Sequence, residues 1–359
     1  MAFWLILGGE PVYIGMRYFL LQAKMLAFVA FFALVASCGF VIEEGSPEPS
    51  PLRVTFLDVG QGLAVLLDCG GRYAMYDMGP DSVGVIDSLV ARGVDTLEWV
   101  VVSHNHRDHA GGFMELAGRG GGSGFARVEG SLSRVESLSQ VGEGLSQAGN
   151  GLFLGGTAPR VYVRRLYVGP DTSGGFIRDS VLRVARGFGI PVDTLVRGAP
   201  LGLAAGGDSA GECRPVAGSG DAPRFDVLWP PDYVREGGNP ASVVLRVEFG
   251  AASLLLTGDL DTAGERRLLE LSPTLSADLL QVPHHGSAGS SSLRFIAQVA
   301  PEYAVASVGA GNSYGHPRED VVRKYAYVLG DTARFFRTDL QGSVGFEMWP
   351  DIGVVAGSD

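Results

Sequence analysis

Cysteine is sparse here and carries no metal-binding pattern. The 359 residues include three, Cys38, Cys69 and Cys213, with no CxxC spacing, which argues against a zinc ribbon or a thioredoxin-like pair. Positive charge is short as well: 28 Lys and Arg against 39 Asp and Glu leave a formal net charge of −11. That disfavours a nonspecific nucleic-acid coat, whose affinity rests on cationic side chains displacing counterions, but leaves a nuclease open. Between Arg160 and Arg197, seven arginines face three aspartates, a local surplus that reads either as a solvated helix face or as a surface for an anionic substrate.

Long apolar runs are limited to one, residues 25–42 (MLAFVAFFALVASCGFVI), preceded by Arg17 and Lys24 and followed by Glu43 and Glu44. A charged stretch leading into an apolar one predicts a targeting or anchoring segment over residues 1–45. Val35-Ala36-Ser37-Cys38 resembles a bacterial lipobox, which would make Cys38 the lipidated N-terminus; an uncleaved membrane anchor is the competing reading. Residues 46–52, with SPEPSP, read as an extended proline-rich tether, and the domain beyond is expected outside the cytoplasmic membrane. With one such segment, the chain is not expected to form a membrane channel by itself.

What is plentiful is apolar residue, 46% of the chain against 19% charged, enough to bury a substantial core. Glycine (53) and proline (19) exceed average use, and many lie between Gly112 and Gly220, which predicts a loop-rich insertion over about 119–222. Within it, RVYVRRLYV is strand-like and IRDSVLRVARGFG helical.

On either side, the same plan recurs. VTFLDVGQG, LAVLLD and RYAMYDMG predict strands joined by turns, followed by a helix in VGVIDSLVARGV and a buried strand, LEWVVVS, that ends at His104. Residues 242–259 (SVVLRVEFGAASLLLTGD) repeat the hairpin; a helix over 262–271 and the strand ADLLQVP then deliver His284 and His285. A third strand, YAVASVG, leads to His316. Ligand-type residues at the ends of several strands, with helices between them, predict an α/β fold with its site along one edge.

The chain has six histidines, none between positions 110 and 283, and they fall into three groups: His104, His106 and His109; His284 and His285; and His316. Histidine is the commonest metal ligand, so this clustering points to a metal site. In His104-Asn105-His106-Arg107-Asp108-His109, alternate residues of a turning segment project together, so His104 and His106 can hold one cation while Asp108 and His109 reach a second close by.

This HxHxDH pattern, a downstream Gly258-Asp259 and a histidine-bearing loop resemble the metallo-β-lactamase fold superfamily, and more narrowly the hydrolase domain of the ComEC/Rec2 competence proteins. The segments that carry the resemblance are FLDVGQG (56–62), YDMG (76–79), SHNHRDHAGG (103–112), NPASVVLRVEFGAASLLLTGD (239–259), VPHHGS (282–287) and NSYGHP (312–317), which span most of residues 53–350.

The resemblance implies an αββα sandwich over 53–359, two divalent metal ions, zinc or manganese, and hydrolysis by a water acidified between them. It implies metal ligation by His104, His106, Asp108, His109, Asp259, His285 and His316, with Asp259 bridging. Asp108 would also orient the attacking hydroxide. Adjacent His284 and His285 are not expected to bind one metal together; His285 is assigned as ligand and His284 as acid or substrate contact. His316 has a second reading, as a cap of the helix after Pro317.

Asp58, Gln61 and Asp77 are either partners that orient the histidines or turn formers. Asn239 and Ser242 match family positions and also suit caps or turns. Arg107 either faces solvent or meets a substrate phosphate. Leu63 stands where the family has an acid, which removes that carboxylate's role.

The expected substrate is a phosphodiester, with DNA a candidate, and the membrane is the expected partner of the N-terminal segment. The missing middle histidine argues against the rival β-lactam, lactone or thioester hydrolase, and the rival from another class is a non-catalytic metal-binding surface lipoprotein.

Overall fold

The computed structural model describes residues 50–117, 160–171, 175–203, 222–231, 237–272 and 275–357, together with the backbone of 4–7 and 10–13. The chain divides into two compact units, Met1–Glu48 and Pro49–Asp359. In the first, β1 (Trp4–Leu7) and β2 (Glu10–Tyr13) form an antiparallel hairpin that the sequence reading did not anticipate. The apolar run 25–42 and Cys38 lie outside the described residues. Among the described residues no helix is long and apolar enough to cross a membrane.

The second unit is built on two sheets. Its chain order is β3 (Leu52–Phe56), β4 (Ala64–Cys69), β5 (Arg72–Met78), α1 (Val85–Ala91), β6 (Thr96–Val102), α2 (Arg107–Ala110), β7 (Tyr162–Val163), β8 (Leu166–Val168), α3 (Phe176–Gly187), β9 (Val192–Thr194) and β10 (Pro200–Leu201). There follow β11 (Arg224–Trp229), β12 (Val244–Phe249), β13 (Ala252–Leu256), α4 (Thr262–Leu271), β14 (Leu279–Gln281), α5 (Leu293–Val299), β15 (Tyr303–Ala306), α6 (Glu319–Leu329), β16 (Phe335–Arg337), α7 (Thr338–Gln341), β17 (Val344–Trp349) and β18 (Gly353–Gly357). One sheet runs β18-β17-β3-β4-β5-β6-β8-β9, with β7 also on β6, and the other runs β10-β11-β12-β13-β14-β15-β16.

Three apolar clusters define the layers. Leu52, Phe56, Val65 and Trp99 of the first sheet pack against Leu245, Val247, Leu254 and Val305 of the second. The outer face of the first sheet packs on Val85 and Leu89 of α1 and Val181 and Val184 of α3, and that of the second on Leu268 of α4, Phe295 of α5 and Val321 and Tyr325 of α6. This is the expected αββα sandwich. Alternate residues of a strand point to opposite faces, and both faces here are covered. Continuous runs such as LEWVVV and SLLL therefore replace the alternating pattern of a one-sided sheet. Each fully buried aliphatic side chain contributes about 1.5–3 kcal/mol relative to exposure.

The repeated plan holds. In each half an antiparallel hairpin, β4–β5 or β12–β13, is followed by a helix and a strand parallel to the hairpin's second arm. Helix α4 has the predicted bounds and is capped by Asp261, whose side chain accepts the Gly264 N–H.

One expectation needs correction, and two features go beyond the sequence reading. Within the insertion expected over 119–222, β7 and β8 fall on the strand-like RVYVRRLYV and pair with β6, and α3 falls on the segment read as helical, whereas β9, paired with β8, and β10, paired with β11, were not anticipated. Strands β9 and β10 are too short for their own sequence to announce, and pairing with a neighbour is what makes them strands. Residues 118–159, 172–174 and 204–221 lie outside the described residues. The tether expected over 46–52 ends earlier, because Leu52 opens β3 and is fully buried. Finally, Cys69 is disulfide-bonded although no CxxC spacing marks it.

Candidate metal centre

Four strand ends converge on one edge. Strand β5 carries Asp77 one residue before its end, β6 runs into Ser103 and His104, β13 into Thr257-Gly258-Asp259, and β14 into a turn over Pro283–Gly286. Gly258 sits at φ +53, and a Cβ there would lie 2.9 Å from Ser103 Cβ and Oγ and 3.2 Å from Ser242 Cβ. Only glycine lets the loops of the two sheets approach this closely. Gln281 ties the strand ends together: its Oε1 accepts from Thr257 N–H and Oγ1 at 2.8 and 2.9 Å, and its Nε2 donates to Gly258 and Val282 carbonyls at 3.2 and 2.7 Å.

Two donor groups form, Asp108, His109, Asp259 and His285, and His104, His106 and Asp259, each with ligand atoms within 4.8 Å of one another. They share Asp259. His109 Nε2 lies 3.0 Å and His285 Nε2 3.4 Å from Asp259 Oδ1, while His104 Nε2 lies 3.8 Å from Oδ2. His285 Nε2 is also 3.5 Å from Asp108 Oδ2 and 3.1 Å from His109 Nε2.

The protons on these rings follow from their other nitrogens. His285 Nδ1 sits 2.7 Å from the Ser307 carbonyl, which can only accept, so Nδ1 carries the hydrogen and Nε2 the lone pair. His109 Nδ1 is 2.7 Å from Asp77 Oδ2, again an acceptor. The Ser103 hydroxyl, with one hydrogen, donates to Asp77 Oδ2 at 2.7 Å and therefore accepts from His104 Nδ1 at 3.0 Å. All three rings thus turn Nε2 lone pairs toward Asp259. His104 Nε2 and Asp259 Oδ1 are buried with no hydrogen-bond partner.

Lone pairs packed this way repel one another unless a positive charge sits among them, so the residues fit divalent cations bound by nitrogen and carboxylate oxygen. The same field shows in the protonation of the metal-free cluster. Burial opposes charge on His109, yet Asp259 and Asp77 outweigh it and hold its pKa well above the ordinary histidine value. His285 is likewise raised against burial, by Asp259 and Asp108. Asp259 resists the upward push of burial because His109 and His285 hold it well below the carboxylate range. Burial, with His109 beside it, keeps His104 neutral by lowering its pKa. A proton on His109 thus occupies the field that a metal ion would satisfy.

Each residue singled out in the sequence has a place. His104, His106, Asp108, His109, Asp259 and His285 enter the two groups. His284 does not join them; it is half-buried at the rim, with Nε2 3.6 Å from Asp259 Oδ2 and Asn239 Nδ2 3.2 Å from its Nδ1. The ligand role that the resemblance implied for His316 has no counterpart in either group. Its ring is 5.8 Å from that of His284, and burial together with His285 and His284 lowers its pKa to about 4. Nor does His316 cap α6, where Arg318 is the N-cap and no side chain caps.

Asp77 holds His109 and the Ser103 N–H, the latter at 2.7 Å, and Ser242 Oγ accepts the Asp259 N–H at 3.1 Å. Asp58 is a turn former that accepts the Gly60 N–H at 3.1 Å, and Gln61 Oε1 accepts the Gly309 N–H at 3.3 Å. Arg107 is held by Asp81 through two bonds, of 2.7 and 2.9 Å. Of the arginine surplus, Arg160 pairs with Asp87, Arg164 with Glu98 and Arg165 with Asp193.

Sequence reasoning missed Ser103, Gln281, Ser307 and Asp171. Asp171 accepts from Asn105 Nδ2 at 3.1 Å and from the Gly238 N–H at 3.2 Å, joining the two histidine-bearing halves. A polar residue directly after a long apolar strand was the available signal for Ser103 and Ser307. Asp171 had none.

Residues 57–310 match the family model described as the metallo-beta-lactamase superfamily. The chain belongs to this superfamily. Within the superfamily it is related to competence proteins: it is 30% identical over 320 residues to Competence protein ComA of Neisseria gonorrhoeae, covering 88% of this chain and 35% of that protein. It is 26% identical over 321 residues to ComE operon protein 3 of Bacillus subtilis, covering 84% and 34%. The chain therefore spans about a third of the length of these curated relatives. Among solved structures, it resembles the metallo-beta-lactamase fold protein YhfI of Bacillus subtilis at 12% identity and a TM-score of 0.41, over 79% of this chain and 95% of that one.

Proposed function

We propose that this metallo-β-lactamase superfamily member hydrolyses phosphodiesters, DNA included, with two divalent cations, zinc or manganese, that share Asp259. The convergence of the His104, His109 and His285 Nε2 lone pairs on the buried Asp259 carboxylate, which two donor groups share, carries the reading. Cations bound there would supply Lewis acidity and acidify a water toward neutral pH. Asp108, in its group with His285, would orient that water. His284, half-exposed beside Asp259 and touched by Asn239, is placed to contact the substrate or supply a proton to the departing oxygen.

The exposed ring of His106 leaves the cleft accessible, as a catalytic rather than a closed structural site requires. The relation to competence proteins supports a nucleic-acid substrate. The absence of any histidine from 110 to 283 deprives the His104–His106 group of a third imidazole and disfavours β-lactam, lactone and thioester hydrolysis. The apolar run 25–42 and the disulfide at Cys69 support export with a membrane anchor, by lipidated Cys38 or by the uncleaved segment.

The test uses the full chain in detergent, loaded with manganese or zinc, on bis-p-nitrophenyl phosphate and single-stranded DNA beside nitrocefin and a lactone. Hydrolysis of the first two, abolished by EDTA and restored by the metal, is expected. Turnover of only the last two rejects the phosphodiester reading. Stoichiometric metal without any turnover instead supports a metal-binding lipoprotein.

A further inference from the structure

An aromatic row leads outward from the metal centre. The His284 ring meets that of His316 edge to face at 5.8 Å, and His316 in turn carries the Tyr314 ring in a stack at 5.6 Å with 25° between planes. Tyr314 is nevertheless 64% exposed. An exposed tyrosine alone says little, since single apolar side chains on a surface are ordinary. What separates this one is how firmly its support is built.

Asn312 grips the backbone of His316 from both sides, accepting its N–H at 2.9 Å and donating to its carbonyl at 2.7 Å, and also donates to the Gly309 carbonyl at 3.0 Å. Gly309 in turn packs against the loop of the first sheet, where a Cβ would lie 2.5 Å from Gln61 N. The platform is therefore fixed to both halves of the fold, at little entropic cost on binding.

A cation stands beside it. The guanidinium of Arg318 lies over Gly315, 3.2 Å from where a Cβ would be, and makes no ion pair among the described residues. By contrast, the guanidinium of Arg107, in the histidine-rich turn, is occupied by Asp81. A rigid aromatic face next to a guanidinium with no ion pair among the described residues, beside the proposed phosphodiesterase site, is the arrangement by which proteins hold single-stranded nucleic acid: bases stack on the ring and the cation meets the backbone.

We propose that Tyr314, backed by His316 and flanked by Arg318, is a stacking subsite for the unpaired nucleobase adjacent to the phosphodiester being cut. This rests on the phosphodiesterase reading above. A base within a duplex is stacked on its neighbours and unavailable to the ring, so the subsite selects strands whose bases are splayed out.

The test compares the full metal-loaded chain with Tyr314→Ala and Tyr314→Trp on oligothymidylate and on the same oligomer made abasic. Cleavage kinetics are read beside fluorescence anisotropy binding of the labelled oligomers to EDTA-treated protein. Tyr314→Ala is expected to raise KM and Kd for oligothymidylate about tenfold, with the loss in KM rather than kcat, and Tyr314→Trp to restore both. On the abasic oligomer the gap between wild type and Tyr314→Ala should close, since there is no base to stack.

Equal KM and Kd for wild type and Tyr314→Ala on oligothymidylate, or an equal loss on both oligomers, overturns the subsite while leaving the phosphodiesterase standing. Tyr314-dependent, base-dependent binding without cleavage keeps the subsite and rejects the hydrolase. Neither binding nor cleavage rejects both.

Discussion

Asp77 and His109 meet at 2.7 Å in the fully buried floor of the cleft, and the carboxylate that receives the His109 Nδ1 proton also receives the backbone and hydroxyl protons of Ser103. Through Ser103, Asp77 also fixes the proton of His104 on Nδ1 and leaves the lone pair on Nε2. One side chain thus sets two histidines, one in each donor group.

Asp77→Asn tests this without disturbing the backbone, because Asp77 sits at φ 58, a left-handed conformation that asparagine tolerates and β-branched residues do not. The amide offers one acceptor where the carboxylate offered two and turns a donor toward other donors. Metal affinity is expected to fall roughly 10–100-fold. Competition with a chromophoric chelator measures it, and wild-type affinity would show that the rings orient without Asp77.

Asp259→Asn removes the one carboxylate common to both groups. On the proposed function the wild type binds two metal ions, and the variant is expected to retain at most one per chain and to lose the proposed phosphodiester turnover. Elemental analysis after dialysis decides the matter; two retained ions would mean that Asp259 does not join the groups.

Stability should depend on pH in opposite senses with and without metal. In the metal-free protein Asp259 and its neighbours overcome burial and raise His109 and His285. Stability from their protonation is fully present below the unfolded histidine value of about 6.5 and is lost as pH rises through the folded values. The metal-free melting temperature should therefore decline above about pH 6.5. Metal ions occupy the same field and bind better as their ligands deprotonate, so the loaded protein should hold its melting temperature or gain. Melts between pH 6 and 9 with EDTA or with metal check this, and parallel curves would contradict it.

Leu63 is fully buried between the sheets, and its N–H donates to the Asp108 carbonyl at 3.0 Å. Leu63→Asp keeps that backbone bond but places a carboxylate among apolar neighbours, at an expected cost of about 3–5 kcal/mol. Urea denaturation reads the loss. A change below about 1 kcal/mol would show that the acid found by resemblance at this position has a partner in this fold as well.

Much of the fold was legible because it is written locally. The hairpin over 242–259, helix α4 and the strand before His104 announce themselves by apolar runs, turn glycines and a capping aspartate within a few residues of one another. Strands β9 and β10 were not, since two or three residues carry no period and become strands only by pairing. Likewise β17 closes the first sheet against β3 from almost 300 positions away, a pairing that the order of elements does not predict.

The order of residues alone determined the chemistry available: imidazoles and carboxylates at the ends of buried strands, in a spacing that brings neighbours such as His104 and His106 to one side. Tertiary structure alone decided how that chemistry is arranged, setting His109 Nε2 3.1 Å from His285 Nε2 across 176 positions, turning both lone pairs inward through Asp77 and Ser307, and sending His316 to the rim. The reason is range. Periodicity and turn chemistry act over a few residues, whereas a hydrogen bond that fixes a tautomer needs tenths of an ångström, a precision that exists only after the two sheets have packed.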